Sequence, residues 1–358
     1  MNQEPYRLLA NRLDSLPNGF PATDDGTELN LLATIFSPED AGLAAKLRLT
    51  KETAEQIADR IGAAPEPLRH QLKGMARRGL ISAGRTKAGF GFGLMPFVVG
   101  IYEMQAATLD AEMAALFESY YQKQFGQALE IEPPVHRVIP VGESVRMDLE
   151  IQPFESAAEI VDGAQSWGVL DCICRKQKAL IGDPCAHPVD VCMALSQQPG
   201  AFEHGTFIRD LTKDEAMATL DRAARAGLVH SVSNNQEGLW YICNCCTCSC
   251  AILRGIAELG IANAVARSQF VNQVDDSLCL LCGDCVEHCQ FDALTVDDAC
   301  LIDQIKCVGC GVCVGFCPEE ALGLIQRAME EIVPIPATMA DWMTQRAEAR
   351  HLDLAEVL

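Results

Sequence analysis

The chain has 358 residues, which is enough for two or three domains with hydrophobic cores of their own. Its formal net charge of −21 disfavours nonspecific binding of the whole protein to nucleic acid or anionic lipid. Hydrophobic residues make up 49% of the chain, but the longest apolar run, residues 89–102, is too short for a membrane span.

Eighteen cysteines dominate the composition, and they fall in clusters. A disulfide framework would require an export signal, but residues 1–13 have no apolar core of the kind that a signal peptide contains. We therefore expect a cytoplasmic protein with reduced thiols, most of them bound to metal.

Residues 1–131 are predicted to form a helical, winged-helix-like domain. Thr53 and Gln56 have the spacing of a capping box, which starts a short helix, and a second helix begins near Pro65. The predicted elements that follow are a Gly-rich hairpin over residues 84–93 and an amphipathic helix over residues 105–126.

A positive region lies within this domain, because residues 44–90 carry 10 basic and 4 acidic residues. Its second helix carries Arg69, Lys73, Arg77 and Arg78. Such a helix could read a DNA groove, so DNA is one candidate partner for residues 44–90. The acidic remainder of the chain would repel phosphate, and we favour protein docking or structural support.

Residues 132–268 are predicted to form a cysteine-rich α/β domain. Its predicted elements are a strand at residues 137–141, a helix at residues 154–165, a helix started by a capping box at Thr212 and Glu215, and a hairpin joining residues 228–232 to residues 240–242. Nine cysteines fall in two groups here, which are Cys172, Cys174, Cys185 and Cys192, and then Cys243, Cys245, Cys246, Cys248 and Cys250.

The second group places five thiols within eight residues, and thiols this close will oxidise unless a soft metal holds them. We expect at least one iron–sulfur cluster with ligands from one or both groups. A zinc site and a redox-active dithiol are the alternatives. Nine thiols could supply two four-ligand sites and leave one thiol spare.

Residues 269–330 contain an internal repeat with a period of 28 residues. Each half has the pattern C-x2-C-x2-C-x3-C, followed by Ala and Leu. The cysteines are Cys279, Cys282, Cys285 and Cys289 in the first half, and Cys307, Cys310, Cys313 and Cys317 in the second. A [4Fe–4S] cluster takes one thiolate on each iron, and three cysteines spaced by two residues let one loop cover three irons.

In such a run the last cysteine ligates the cluster of the other half. The first predicted cluster therefore has the ligands Cys279, Cys282, Cys285 and Cys317. The second has the ligands Cys307, Cys310, Cys313 and Cys289. A pair of zinc sites is the alternative, but zinc ribbons use separated C-x2-C pairs rather than these consecutive gaps.

This repeat closely resembles the bacterial two-[4Fe–4S] ferredoxin family over about residues 270–327. The resemblance implies a ferredoxin-like fold and one-electron transfer. One departure is that Gln290 follows Cys289 where the family has proline, whereas Pro318 follows Cys317. We expect this difference to loosen the local loop without removing a ligand.

Over most of its length the chain resembles a group of ferredoxin-fused, multi-cluster iron–sulfur proteins of anaerobic metabolism. The motifs that carry this resemblance are C-x-C-R, G-x-P-C-x-H-P, G-L-V-H-x-x-x-N and I-C-N-C-C-x-C-x-C, in that order. The resemblance implies an electron carrier and does not identify its partners.

Three further residues lie close to the cysteine patterns. His187 and His230 are candidates for metal ligands or for hydrogen-bond donors to cluster sulfur, although a structural role is the simpler interpretation. Cys300 belongs to no pattern, and we expect a buried thiol near the second cluster.

Residues 331–358 are predicted to end the chain with a helix, and no nucleotide-binding loop or hydrolase motif is visible in the sequence. We therefore predict an α+β protein that transfers electrons between redox partners through two [4Fe–4S] clusters and at least one more. The alternatives are a redox-sensing winged-helix regulator that binds DNA and an iron–sulfur subunit of a larger oxidoreductase complex. A carrier or a subunit is favoured over a self-contained enzyme.

Overall fold

The computed structural model describes the chain apart from residues 1, 143, 146–150, 204 and 206 and the side chain of Glu356. Helices and sheets are mixed, which agrees with the predicted α+β class. No helix in the described part is long and apolar enough to cross a membrane. The chain divides into two compact units, formed by residues 1–132, 176–184 and 343–358 and by residues 133–175 and 185–342. The division into four domains remains a prediction.

The first unit consists mainly of helices around an aromatic core, in which Tyr102 stacks on Phe117 with ring centroids 4.0 Å apart. Its helices are α1 (Glu4–Asp14), α2 (Thr27–Ile35), α3 (Pro38–Ala44), α4 (Ala54–Ile61), α5 (Pro65–Arg77), α6 (Ala111–Tyr120) and α7 (Gly126–Leu129). Its strands are β1 (Glu52–Thr53), β2 (Ser82–Thr86) and β3 (Gly89–Gly93), which form an antiparallel sheet in the order β1–β3–β2.

Capping side chains decide where two of these helices begin. The predicted capping box before α4 is confirmed, since Thr53 Oγ1 accepts a hydrogen bond from the Gln56 N–H and Gln56 Oε1 accepts one from the Thr53 N–H. Helix α6 begins at Ala111, later than predicted, because Asp110 caps it by accepting a hydrogen bond from the Met113 N–H.

A six-stranded antiparallel sheet forms the larger part of the second unit, and its order is β4–β8–β9–β6–β5–β7. The strands are β4 (His136–Ile139), β5 (Ser166–Leu170), β6 (Cys192–Ser196), β7 (Arg209–Leu211), β8 (Val229–Ser233) and β9 (Tyr241–Cys245). The helices of this part are α8 (Ala157–Asp162), α9 (Ile173–Leu180), α10 (Lys213–Arg225) and α11 (Ala251–Ala257), although residues 176–180 of α9 belong to the first unit. Helices α8 and α10 share a hydrophobic core with the sheet. The predicted hairpin is confirmed as β8 and β9.

One end of this sheet collects cysteines. Strand β6 runs antiparallel to both β5 and β9, so the end of β5, the start of β6 and the end of β9 adjoin. Cys172 follows β5, Cys192 begins β6, and Cys243 and Cys245 lie on β9. The strand order therefore joins the two cysteine groups that are distant in sequence.

The repeat region adds four strands and two helices. They are β10 (Phe270–Val274), α12 (Asp284–Glu287), β11 (Leu294–Val296), β12 (Cys300–Ile302), β13 (Leu322–Gln326) and α13 (Met339–Ala349). Helix α13 follows the repeat, and its residues 343–349 belong to the first unit. Strand β10 of the first half pairs with β13 of the second, and β11 of the first half pairs with β12 of the second. Each half therefore completes the sheet of the other.

A buried ion pair lies beside the large sheet. Arg137 on β4 and Glu155 are both 1% exposed, with Arg137 Nη1 at 3.5 Å from Glu155 Oε1. Burial raises the pKa of Glu155 to about 7, although Arg137 opposes this effect. Because the folded protein holds the Glu155 proton more tightly than the unfolded chain does, deprotonation between pH 4.5 and 7 weakens folding.

We therefore expect the free energy of unfolding to fall by about 2 kcal/mol between pH 5 and pH 8 through Glu155. Glu155→Gln, which cannot ionise, should lack this contribution, whereas Glu237→Gln at an exposed position should keep the wild-type slope. Anaerobic chemical denaturation at several pH values measures the difference. If the free energy of unfolding changed with pH equally in the wild type and in Glu155→Gln, the pKa assignment for Glu155 would be contradicted.

Candidate metal centres

Four cysteines that are predicted ligands, drawn from both halves of the repeat, line one pocket. Cys279, Cys282 and Cys285 reach it from the first run, and Cys317 reaches it from the end of the second. Four thiols around a common space fit a [4Fe–4S] cluster, which needs one thiolate on each iron. The arrangement is compatible with the predicted exchange of the last cysteine between the halves.

The second run passes so close to its surroundings that two positions have no room for a side chain. Gly309 and Gly311 have φ angles of +71° and +73°, in the left-handed region that favours glycine. A Cβ at Gly309 would lie 2.1 Å from the carbonyl oxygen of Phe270, and one at Gly311 would lie 2.2 Å from Ser144 Oγ. These glycines allow the cysteine loop to pack directly on the neighbouring chain.

The thiols of the second predicted set also lie near one another. Burial raises the pKa of Cys310 to about 12, and the nearby thiols of Cys307 and Cys289 contribute to the increase. Burial likewise raises the pKa of Cys313, with contributions from Cys310 and Cys289. Ionising these thiols together requires a cation close to them, so this set also fits a cluster.

The last cysteine of each run accepts a hydrogen bond from an alanine that recurs in the repeat. The Ala293 N–H donates to Cys289 Sγ and the Ala321 N–H donates to Cys317 Sγ, both at 3.3 Å. Both alanines are buried, and a small residue there lets the backbone amide approach the sulfur. This contact gives a physical reason for the alanine in the repeat.

Two repeat-equivalent residues contact the third cysteine of the opposite half. Asn272 Nδ2 donates a hydrogen bond to Cys313 Sγ at 3.1 Å, and Cys300 Sγ lies 4.0 Å from Cys285 Sγ. Asn272 and Cys300 are one repeat period apart, as are Cys285 and Cys313. An amide N–H is a stronger hydrogen-bond donor than a thiol. The third cysteine of each run therefore has a different partner, which is an amide for Cys313 and a thiol for Cys285.

The expectation that Cys300 lies near the second set is wrong. Cys300 lines the pocket of the first set, together with Cys279 and Cys285. The reason is the exchange of strands, because Cys300 begins β12, which pairs with β11 of the first half.

A buried arginine lies beside the second set. Arg327 Nη2 donates to the carbonyl oxygen of Cys307 at 2.6 Å, and its Nε donates to that of Ser268 at 3.2 Å. The residue one period earlier is Ala299. A nearby cation and an amide donor both favour added negative charge, so a cluster bound by the second set would be easier to reduce than one bound by the first.

Gln290 does not loosen the loop after Cys289, as the sequence suggested, but ties it to another segment. Its Oε1 accepts a hydrogen bond from the Thr247 N–H at 2.8 Å, and its Nε2 donates to the Gly227 carbonyl oxygen. Proline at this position could form neither bond. The glutamine therefore connects the repeat to the cysteine-rich segment 243–250.

Six of the nine upstream thiols form a closed ring of neighbours. Each interacts with the next in the order Cys172, Cys192, Cys243, Cys245, Cys250 and Cys174, which interacts again with Cys172. Interaction with a neighbouring thiol, followed by burial, raises the pKa of Cys174 and Cys243. Together the six residues offer more sulfur than the four thiolates that one cubane needs.

The other three upstream thiols lie with His187. The ligand atoms of Cys185, His187, Cys246 and Cys248 are all within 4.8 Å of one another. Cys248, and then His187 and Arg175, lower the pKa of Cys246 to about 3, because each stabilises its thiolate against the effect of burial. The nine cysteines thus divide into six and three, a division that the sequence left open.

Arg175 lies between the two upstream groups. Despite its burial, the pKa of Arg175 is raised by the surrounding Cys172, Cys192 and Cys246. Its Nη1 donates to Cys246 Sγ at 3.7 Å and to the Asn244 carbonyl oxygen at 3.1 Å. A permanently charged guanidinium in this place compensates thiolates on both sides.

His230, the other candidate ligand, is not a member of the compact group that contains His187. Its Nδ1 forms a hydrogen bond with Asn244 Oδ1 at 2.5 Å. Burial lowers the pKa of His230 to about 4, so the ring is neutral at physiological pH. The contact favours a structural role for His230.

Comparison with known proteins identifies the repeat. Residues 272–295 and 301–323 match a family model described as a 4Fe-4S binding domain. These matches and the cysteine-rich segments indicate an iron–sulfur protein. Neither a curated protein nor a solved structure matches the chain.

The hydrogen bonds from Asn272 and Cys300 should tune the two sets separately. Asn272→Cys should lower the reduction potential at the second set, and Cys300→Asn should raise it at the first, each by roughly tens of millivolts. The physical reason is that a stronger donor to sulfur stabilises the reduced, more negative state.

Anaerobic redox titration followed by EPR measures both potentials. Asn30→Cys makes the same replacement at an exposed position and should leave them unchanged. Potentials that do not move in either variant, or that move in the opposite directions, would contradict the role of this hydrogen bond.

The two hydrogen bonds of Gln290 should stabilise the second unit. Gln290→Ala should lower the free energy of unfolding by about 1 to 3 kcal/mol, because both bonds are lost and their backbone partners are partly buried. Gln197→Ala removes one exposed hydrogen bond to the Gly163 carbonyl oxygen and should have a much smaller effect. Anaerobic denaturation measures the free energy of unfolding of both variants. An equal decrease in Gln290→Ala and Gln197→Ala would refute the prediction.

Proposed function

We propose that the chain is an electron-transfer protein that binds two [4Fe–4S] clusters in the repeat and a third iron–sulfur cluster in the six-thiol ring. The observation that carries the proposal is the pocket in which Cys317 of one half meets Cys279, Cys282 and Cys285 of the other. A bound [4Fe–4S] cluster supplies a one-electron couple. The family model that matches both halves supports the same chemistry.

The residues around the two sets would make them unequal. Asn272 and Arg327 favour negative charge at the second set, whereas the first set has Cys300 and Ala299 at the equivalent positions. Electrons that enter at the first set would therefore pass downhill to the second. This direction leads away from the exposed pocket and toward the segment that Gln290 contacts.

The first pocket is the proposed place where a redox partner docks. Cys282 is exposed, and Leu280 beside it is 69% exposed. Leu278 and Ile305 are further exposed apolar residues of the repeat region. An apolar contact around an exposed ligand would bring the partner's redox centre close, and the acidic chain would attract a partner with basic residues.

The basic region of the first unit fits protein docking or structural support better than DNA binding. Arg69 forms ion pairs with Glu55 and Glu66, and Arg78 forms one with Asp40. These arginines are therefore already compensated within the chain, although α4, α5 and the hairpin follow one another as in a winged helix. We propose a cytoplasmic carrier or a subunit of a larger oxidoreductase complex, and keep the DNA-binding regulator as the alternative.

Iron analysis after anaerobic purification tests the proposal. The wild type should contain about twelve iron atoms per chain, four for each of three clusters. Cys317→Ala should lose about four of them, and so should Cys243→Ala in the ring. EPR of the dithionite-reduced protein should show fewer reduced clusters in each variant than in the wild type.

One control variant and two outcomes separate the sites. Cys300→Ser changes a thiol that is proposed to donate to a ligand and should keep all of the iron. An iron content of about eight atoms per chain would refute the cluster proposed for the ring and would still agree with two clusters in the repeat. A colourless protein that holds zinc in the repeat and accepts no electron from dithionite would refute electron transfer itself.

A further inference from the structure

We propose that Cys185, His187, Cys246 and Cys248 bind one divalent ion of the zinc type, separately from every iron–sulfur cluster. Their four ligand atoms come from two segments of the second unit, near residue 186 and near residue 247, and all lie within 4.8 Å of one another. The inference depends on this geometry and not on the proposed electron transfer.

The spacing of the ligand atoms matches a single ion. Cys185 Sγ lies 4.0 Å from Cys246 Sγ, and Cys248 Sγ lies 3.7 Å from His187 Nδ1. A tetrahedral zinc ion with Zn–S bonds of about 2.3 Å holds its sulfur ligands roughly 3.8 Å apart. The side chains therefore need little movement to surround one ion.

The other cysteines provide an internal comparison. In the part of the chain that the structure describes, no other three potential ligands have atoms that all lie within 4.8 Å of one another. The sulfur atoms of the eight cysteines of the repeat and of the six in the ring are thus farther apart. A [4Fe–4S] cluster requires such spacing, because each thiolate binds a different iron. The compact group alone has the dimensions of a mononuclear site.

The ligand types also favour zinc. Three thiolates and one imidazole form a Cys3His set, which zinc binds with four protein ligands in structural sites. Ser249 Oγ donates a hydrogen bond to Cys185 Sγ at 3.4 Å, and Arg175 Nη1 donates to Cys246 Sγ at 3.7 Å. Such donors orient the sulfur ligands and offset the negative charge of three thiolates on a divalent ion.

The ion would fix the segment that joins the metal centres. Thr247 lies between the ligands Cys246 and Cys248, and its N–H donates to Gln290, the residue after Cys289. The Cys250 N–H donates to the Cys246 carbonyl oxygen at 3.0 Å. Holding Cys246 and Cys248 would therefore place Thr247 against the repeat and Cys250 in the ring.

The test measures zinc and iron in the same anaerobically purified, full-length samples after dialysis against a chelator. The wild type should retain about one zinc atom per chain. His187→Ala and Cys248→Ser should lower zinc occupancy about tenfold or more and leave iron unchanged. Cys282→Ser, at an exposed position of the repeat, should do the reverse by losing iron and keeping zinc.

Two further measurements keep the test decisive if a ligand variant folds poorly. His187→Cys preserves four ligands and should retain the zinc. Reconstitution with cobalt should give the absorption of a tetrahedral thiolate complex in the wild type and a shifted spectrum in His187→Cys. A wild type without zinc, zinc that persists in both His187→Ala and Cys248→Ser, or variants that lose iron instead of zinc would each overturn the proposal.

Discussion

Thiols gathered in a buried region are stable as thiolates only if positive charge lies beside them, and this constraint governs the whole second unit. Its cysteines gather at four places, which are the two sets of the repeat, the six-thiol ring and the compact group with His187. Arg175 supplies one permanent charge between the upstream groups. One guanidinium cannot compensate nine thiolates, and the metal proposed for the upstream groups would supply the remaining charge.

The repeat shows how one backbone arrangement can provide two chemical environments. Strand exchange and the contacts of Ala293 and Ala321 are the same in both halves. The differences lie in single side chains at equivalent positions, as with Asn272 and Cys300. A duplicated module can therefore keep its ligands and diverge in the hydrogen bonds and charges that set potentials.

The parts of the structure that depend on short segments were predictable from the sequence. The capping box of Thr53 and the cysteine repeat, both halves of which match a 4Fe-4S binding domain, are examples, because neighbouring residues alone create them. The assignment of Cys185 and Cys192 to different groups was not predictable. Cys192 lies at the end of the sheet only because β6 pairs with β5 and β9, and the register of distant strands is not visible in local spacing. Cys300 was misplaced for the same reason.

The density of cysteines in segment 243–250 has a geometric explanation. Side chains alternate along a strand, so Cys243 and Cys245 on β9 face the ring together. The strand ends at Cys245, and the turn that follows carries Cys246 and Cys248 to the compact group before Cys250 returns to the ring. One short segment thus contributes to two sites, while Thr247 in its middle contacts Gln290 of the repeat. A connection of this kind holds the two segments together, and under the proposed electron transfer it would fix the distance over which an electron passes between the centres. The glutamine that departs from the ferredoxin pattern is therefore one of the residues that join the repeat to the rest of the second unit, and it does so at the cysteine-rich segment.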